Sequence, residues 1–583
     1  MDSTEAPVVI VGAGFVGLFT ALHLDRQKNI APTIPVMLID RKDHFCFRPL
    51  LYEYLTGEME SDQLIPSYRE LLHGTDIQFI QDTVESIDLE QRQVRLAEQG
   101  IQPYSKLVLA LGCIPAFFAP GAKENSFTFQ SKADADALKQ HLMNRMQQAV
   151  GIADAEERCR WLTVAIVGGG PAGVELALTL GDVLPQWQQT VQGDPKDLRI
   201  VLMNRGDILQ GDVNSLLRDT AKKAMEERAV PIELRLEASV TAVQPGVVEY
   251  TRQDQPERLE AGTIVWTCGT QIHPLVQQLP IPSERRTRRG QLLTTATLQL
   301  LDYPDVFAAG DCADFVPTEP AATPLPPTAQ VAYQEGSAIA HAIKALGQGR
   351  EPAPAQVTLR GTLMKLGYGI GVANLFNRYE ISGRLGHLIR QLTYLELLPI
   401  PGRNLKETGD WLKETIFLRH AAEHHDLAYT AGYEPEELAT LATAVMTSGT
   451  AVSLAELGVI STLLETAALG KELAGAPSKY PNNRVIQALF GHQSKREKAS
   501  QRLKEITITP ENALDVAVDF IQRAIAILQQ RATSHEIQEY KEFVYSCCNA
   551  VARAAGSGLL GTGKKVSSQE EAALSKLKAA LSL

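Results

Sequence analysis

Short apolar runs alternate with amphipathic stretches through the first half of the chain, and several of the runs end in glycine or an acid. Val8–Val11 is followed by Gly12, Gly14 and Gly17, then by Leu18, Ala21, Leu22 and Leu24 at helical spacing, which predicts a strand, a tight turn and a helix. A second apolar run, "IPVMLID", closes on Asp40, 23 residues past Gly17. The sequence "TVAIVGGGPAGVELALTL" repeats the pattern with Gly168, Gly170 and Gly173. It is followed by "IVLM", which ends in Asn204 and Arg205. Continuous apolar strands alternating with helices predict an α/β chain with parallel sheets.

The spacing G-x-G-x-x-G has a physical use. Glycines let the backbone turn sharply and approach a pyrophosphate, while the helix N-terminus offers unpaired N–H groups and its dipole to the negative charge. An acid at the end of the next strand accepts from a ribose hydroxyl, the place Asp40 holds after the first loop. Two such units predict two Rossmann-type dinucleotide-binding domains. In the second, the strand-end position falls 31 residues past Gly173, the polar insert "PQWQQTVQGDPKDL" accounting for the extra length, and it is Asn204 rather than an acid. Asn faces a free or a phosphorylated ribose equally, and Arg205 can pair with a 2'-phosphate.

Further along, "YPDVFAAGDCADF" delivers Gly310 and Asp311 to a turn, and here the chain resembles the two-dinucleotide flavoprotein oxidoreductases. The resemblance implies that Gly12, Gly14, Gly17, Asp40 and Asp311 hold FAD, and that Gly168, Gly170, Gly173, Asn204 and Arg205 hold NADPH or NADH. "KLVLALGCIP" is similar to that superfamily's A-T-G crossover, with Leu111 in place of Thr. Three stretches resemble the type II NAD(P)H:quinone oxidoreductases: "DRKDHFCFRPLLYEYLTGEM", "GVELA" with Glu175, and "PPTAQVAYQEG" with Ala329, Gln330, Ala332, Gln334 and Gly336. That likeness implies that Ala329 meets the flavin, that Gln330 and Gln334 lie where the isoalloxazine meets a quinone, and that Glu175 stands close to nicotinamide and quinone.

At 583 residues the chain has room for several cores. A net charge of −12 argues against a nucleic-acid partner, since phosphate contacts need a dominant basic surface. Seven scattered cysteines form no C-x-x-C pair, so neither a disulfide framework nor a metal site is expected. The pair of nearby thiols that disulfide reduction needs is not offered around Cys46, which points to direct electron transfer from flavin to acceptor. No apolar run is long enough to span a membrane. "GRLGHLIRQLTYLELL" places Leu385, Leu388, Ile389, Leu392 and Leu395 at helical spacing among Arg384, His387 and Arg390, and the stretch from Gly361 to Phe417 is similar to the family's membrane-docking part. Such a helix lies at a bilayer interface or packs on protein.

From about His424 the composition turns to Ala, Leu and Glu with helix signals: Thr509 and Pro510 at one start, Ser567 with Glu570 at another. The ending resembles TerB-like helical domains. Arg484, Lys495, Arg496, Lys498, Arg502 and Lys504 read as a solvated face or an anionic-lipid site, and Cys547 with Cys548 as buried small hydrophobes.

The expected organisation is an FAD domain from 1–125 and 291–345, an NAD(P)H domain from 126–290, a quinone- and membrane-docking region from 346–424, and an all-helical domain from 425–583. The expected function is transfer of electrons from NAD(P)H through FAD to a membrane quinone, without proton pumping, by a peripheral protein on the cytoplasmic face. Two alternatives remain: reduction of a quinone precursor in cofactor biosynthesis, and redox sensing through the helical tail and an unknown protein partner. Homodimer formation stays open.

Overall fold

The computed structural model describes residues 6–26, 35–59, 65–210, 215–315, 325–359, 361–375, 379–397, 433, 435–455, 462–490, 513–555 and 568–583. Two compact units emerge, one of Met1–Tyr368 with Asn374–Glu380 and one of Gly369–Ala373 with Ile381–Leu583.

In the first unit, strand β1 (Val8–Val11) runs through the loop into helix α1 (Phe15–Arg26), strand β2 (Val36–Asp40), helix α2 (Leu51–Thr56) and strands β3 (Gln78–Gln81) and β4 (Lys106–Leu109). The sheet order is Val306–Ala308, β4, β1, β2, β3, all parallel. All four residues of β1 are buried because both faces of a parallel sheet are covered, which is why the sequence shows a continuous apolar run rather than alternation.

The second sheet repeats the plan with β5 (Thr163–Val167), helix α3 (Pro171–Thr190), β6 (Arg199–Met203), helix α4 (Ser215–Glu226), β7 (Ile232–Arg235) and β8 (Thr263–Trp266), in the order β7, β6, β5, β8. The stretch read as a polar insert is partly helix. Helix α3 continues through Pro185 to Thr190 and is eight residues longer than α1, which equals the extra distance from Gly173 to Asn204. The glutamines that made the stretch look like a loop are good helix formers, and in α3 Gln186 and Gln189 lie on the more open side while Gln188 is buried.

The chain then returns to the first sheet as β9 (Val306–Ala308), pairing Val306 with Leu107, and continues into helix α5 (Ala329–Gly347) and strand β10 (Gly361–Lys365). Helices α1 and α5 approach closely at Gly336, where a Cβ would stand 2.7 Å from the Val16 carbonyl oxygen. Thr20 Oγ1 donates to the Gly336 carbonyl at 3.1 Å across the same contact.

Among its described residues the second unit holds helix α6 (Gly383–Glu396) and six further helices: α7 (Pro435–Ala455), α8 (Thr462–Lys479), α9 (Arg484–Phe490), α10 (Ala513–Arg531), α11 (Ser534–Ala555) and α12 (Ser568–Leu581). Their apolar faces meet in one core that includes Val445, Phe520, Phe543, Cys547 and Cys548. Burial pushes both cysteine thiols up, so they pack as small hydrophobes. Arg484 pairs with Glu536 at 2.9 Å, and its side chain stays mostly exposed. The remaining basic residues, Lys495 to Lys504, lie outside the described residues, as do Thr509, Pro510, Ser567, His424 and His425.

Of the two placements open to α6, packing on protein fits His387 and Arg390, which are buried at 1% and 0% exposure, and Ile389 of the apolar stripe is buried with them. Helix α6 packs against α8, and the Arg390 guanidinium lies 4.8 Å from the centre of the Tyr394 ring. A guanidinium stacked on an aromatic face is held by the protein itself. The side chains of Arg384, Leu385, Leu388, Leu392 and Leu395 lie outside the description. Among the described residues, no helix is long and apolar enough to cross a membrane.

Candidate functional site

The two glycine loops are built alike. The Gly12 N–H donates to the Ile39 carbonyl at 2.9 Å, and the Gly168 N–H donates to the Met203 carbonyl at 2.8 Å. A Cβ on Gly17 would stand 1.8 Å from the Gly12 carbonyl oxygen, and one on Gly173 would stand 1.9 Å from that of Gly168. Both first glycines also have positive φ, +96° and +122°. At the middle glycines, Gly14 and Gly170, a Cβ would meet nothing within 4 Å. That open space lies before each helix N-terminus, and it is the cradle a pyrophosphate needs.

The strand-end residues also correspond. The Asp40 carboxylate accepts from the Ala13 N–H at 2.8 Å, and Asn204 Oδ1 accepts from the Gly169 N–H at 3.1 Å, each between the first two glycines of its loop. This places Asn204 in the position Asp40 holds in the first unit. Asn204 Nδ2 donates to the Gly206 and Asp207 carbonyls at 3.2 and 2.9 Å, so both its donors are committed to the loop. Arg205 beside it is exposed. Asp207 is paired with Lys222 at 2.9 Å, which holds its carboxyl below the usual range.

Gly310 and Asp311 form a tight turn after β9, with Gly310 at φ +71°. Burial pushes the Asp311 carboxyl up, and the Arg48 guanidinium opposes that rise. The Asp311 carbonyl accepts from Gln291 Nε2 and Cys113 Sγ, both at 3.3 Å, fixing the turn. A cavity of about 340 Å³ opens on it, its lining including Arg288, Arg289, Gly310, Asp311, Thr328 and Glu335. Thr328 is the N-cap of α5, so Ala329 is its first residue. Gln330 Nε2 donates to the Gly361 carbonyl at 3.0 Å. Gln334 exchanges two bonds with Thr358, at 3.1 and 3.0 Å. The two glutamines therefore fasten the segment leading into β10 along the first turns of α5.

Glu175 is 9% exposed, and its Oε1 accepts from the Lys365 N–H at 2.6 Å. The Lys365 side chain is fully buried and its ammonium pairs with Glu53 at 3.2 Å and with Glu58. Three carboxyl groups thus surround one lysine. Sequence reading missed Lys365, Glu53 and Glu58, and the available signal was a lone lysine in the apolar run "GTLMKLG". Burial pushes the Cys113 thiol up to about 11 and the Cys268 and Cys312 thiols up to about 12. At neutral pH these groups stay protonated and lack the thiolate that disulfide chemistry requires.

The chain is similar to known proteins in sequence and in fold. Residues 6–336 match the family described as pyridine nucleotide-disulphide oxidoreductase. A demethylphylloquinone reductase NdbB from Synechocystis is 32% identical over 433 residues, covering 71% of this chain and 99% of that protein. A type II NADH:quinone oxidoreductase from Staphylococcus epidermidis is 26% identical over 393 residues, covering 67% of this chain and 95% of its own length. Among solved structures, NDH2 from Plasmodium falciparum in complex with NADH superposes with a TM-score of 0.62 at 18% identity, covering 70% of this chain and 98% of that one. At that identity the likeness is one of fold.

Proposed function

The chain belongs to the pyridine nucleotide-disulphide oxidoreductase family, and from that membership we infer an enzyme that carries electrons from NAD(P)H through FAD to a quinone. The observation that carries the reading is the pair of matching glycine cradles together with the Asp311 turn, in a chain whose sequence relatives over most of its length are named as quinone reductases. In this reading Gly12, Gly14, Gly17, Asp40, Gly310, Asp311 and Ala329 hold FAD, from residues 1–125 and 291–345. Gly168, Gly170, Gly173, Asn204 and Arg205 hold the nicotinamide nucleotide, from residues 126–290. FAD, when bound, supplies the two-electron relay between donor and acceptor.

The chain's own residues position and exclude. Gln330 and Gln334 hold the segment before β10 in place, and Glu175 receives the Lys365 N–H beside the buried cluster, so the wall of a quinone pocket is fixed at both ends. No side chain acts as a nucleophile. Residues 346–424 form the quinone- and membrane-docking part of this proposal, with a peripheral placement on the cytoplasmic face of a membrane. Residues 425–583 form a helical domain, TerB-like by resemblance.

The test is to purify the full chain, identify the released flavin, and follow NADH and NADPH oxidation with short-chain quinones that carry or lack a ring methyl group. Sustained quinone-dependent turnover supports the reading; trace turnover on every acceptor favours a sensing role. Glu175→Gln and Gln330→Ala are expected to lower quinone turnover with FAD content unchanged, and full turnover in both would remove their assigned roles.

NADPH is expected to serve at least as well as NADH, because no carboxylate stands at position 204 to repel a 2'-phosphate and Arg205 is exposed beside it. Asn204→Asp keeps an acceptor for the Gly169 N–H, as Asp40 does for Ala13, and adds the repelling charge. It is expected to shift the NADPH-to-NADH ratio of kcat/KM by about tenfold toward NADH, the equivalent of about 1.4 kcal/mol. A wild type that already strongly favours NADH sinks this idea.

A further inference from the structure

Glu335 occupies an unassigned position inside "AQVAYQEG", yet its side chain turns to the cavity that holds Asp311. It is 7% exposed, and its Oε2 accepts from the Gly310 N–H at 2.8 Å. Gly310 is fixed at φ +71°, where a Cβ would already press on Val16 at 3.0 Å, so the bond grips a turn with little freedom of its own. A glutamine oxygen can accept the same N–H. What glutamate adds at this place is a proton that can come and go.

The charged surroundings favour such exchange. Asp311, from the turn after β9, and Asp314, from the short strand that follows it, line the same cavity, and so do Arg288 and Arg289. Helix α1, packed on the same face of α5, brings Val16 against Gly310 and Thr20 onto the Gly336 carbonyl. Its titratable residues His23 and Asp25 lie further along, beside Lys344. Burial pushes the Glu335 carboxyl up to about 7, the Gly310 N–H opposing the rise and Asp311 and Asp314 adding to it.

We propose that Glu335 is a proton-coupled positioning residue: its carboxyl group holds the flavin-binding turn through Gly310 and takes up one proton from solvent when the bound flavin is reduced. The proposal rests on the reading that this turn holds FAD. A hydride from NAD(P)H brings two electrons and one proton, and leaves an added negative charge on the flavin. Protonation of Glu335 neutralises a carboxylate in the cavity on the Asp311 turn, which would offset that charge, so uptake becomes two protons for two electrons. Both protons are needed when the quinone accepts the two electrons and becomes a quinol. Protonation at Oε1 leaves Oε2 free to keep the bond from Gly310.

The direction with pH follows. Below about 7 Glu335 is already neutral before reduction, so only the hydride's proton is bound through this route. Above about 7 it is ionised before reduction and takes the second proton. The FAD-loaded wild type and Glu335→Gln should therefore be titrated for midpoint potential between about pH 7 and 8.5, with proton uptake counted by an indicator dye. The expected result is two protons per two electrons for wild type and one for Glu335→Gln, with FAD content equal, because the amide oxygen still accepts from Gly310. Equal slopes in the two proteins overturn the proposal. If the variant loses its flavin, the wild-type count read on both sides of pH 7 decides: a rise from one toward two protons per two electrons supports the proposal, and a flat or falling count overturns it, because a proton taken by the reduced flavin itself is lost as pH rises. A wild type that binds no FAD refutes the functional reading as well, which separates the two failures.

Discussion

Lys365→Met is expected to destabilise the first unit by about 3–5 kcal/mol, since it leaves Glu53 and Glu58 buried with no cation between them. Coulomb attraction alone does not make this pair of contacts stabilising, because desolvating three charged groups costs much of what their attraction returns. The asymmetry lies in removing one partner. Urea unfolding at saturating FAD should show the midpoint fall, while combining Lys365→Met with Glu53→Gln and Glu58→Gln should recover most of the loss. A single variant within about 0.5 kcal/mol of wild type would show that water already enters the cluster.

Gly17→Ala and Gly173→Ala are expected to separate the two nucleotide sites. Each introduces a Cβ within 2 Å of a carbonyl oxygen, 1.8 Å from Gly12 and 1.9 Å from Gly168, and backbone on both sides leaves no flexible atom to yield. The Gly17 variant should purify without FAD. The Gly173 variant should keep FAD but show an NAD(P)H KM raised at least about 100-fold, equivalent to about 2.7 kcal/mol. Flavin absorbance and bleaching by dithionite, compared with bleaching by NAD(P)H, read the two outcomes independently. If Gly173→Ala removed FAD and left hydride uptake intact, the assignment of the two loops would be reversed.

The local parts of this site could be read from sequence because each is complete within about thirty residues. A strand, a three-glycine turn and a helix carry their own geometry, so the loops at Gly12 and Gly168 and the strand ends at Asp40 and Asn204 follow from spacing alone. The helical extension past Pro185 reads as an insert from sequence because glutamine-rich polar sequence suits a solvated helix as well as a loop. Helix α6 shows the same ambiguity at larger scale. Periodicity told that one face is apolar, and it could not tell whether lipid or protein covers it; His387 and Arg390 are buried, and α8 packs on the helix.

The remaining features depend on chain segments that only folding brings together. Lys365 meets Glu58 across 307 positions of sequence, and Glu335 meets Gly310 across 25, where no local period links donor to acceptor. By itself the sequence determined two dinucleotide units, the order of their strands and helices, and a strand end in the second unit without an acid. The tertiary structure decided which polar groups are buried together: one lysine among three carboxyl groups, and a glutamate closed over the Asp311 turn. Burial is the physical reason, because it converts an ordinary lysine or glutamate into a group whose charge depends on its neighbours, and burial is set by packing between distant segments.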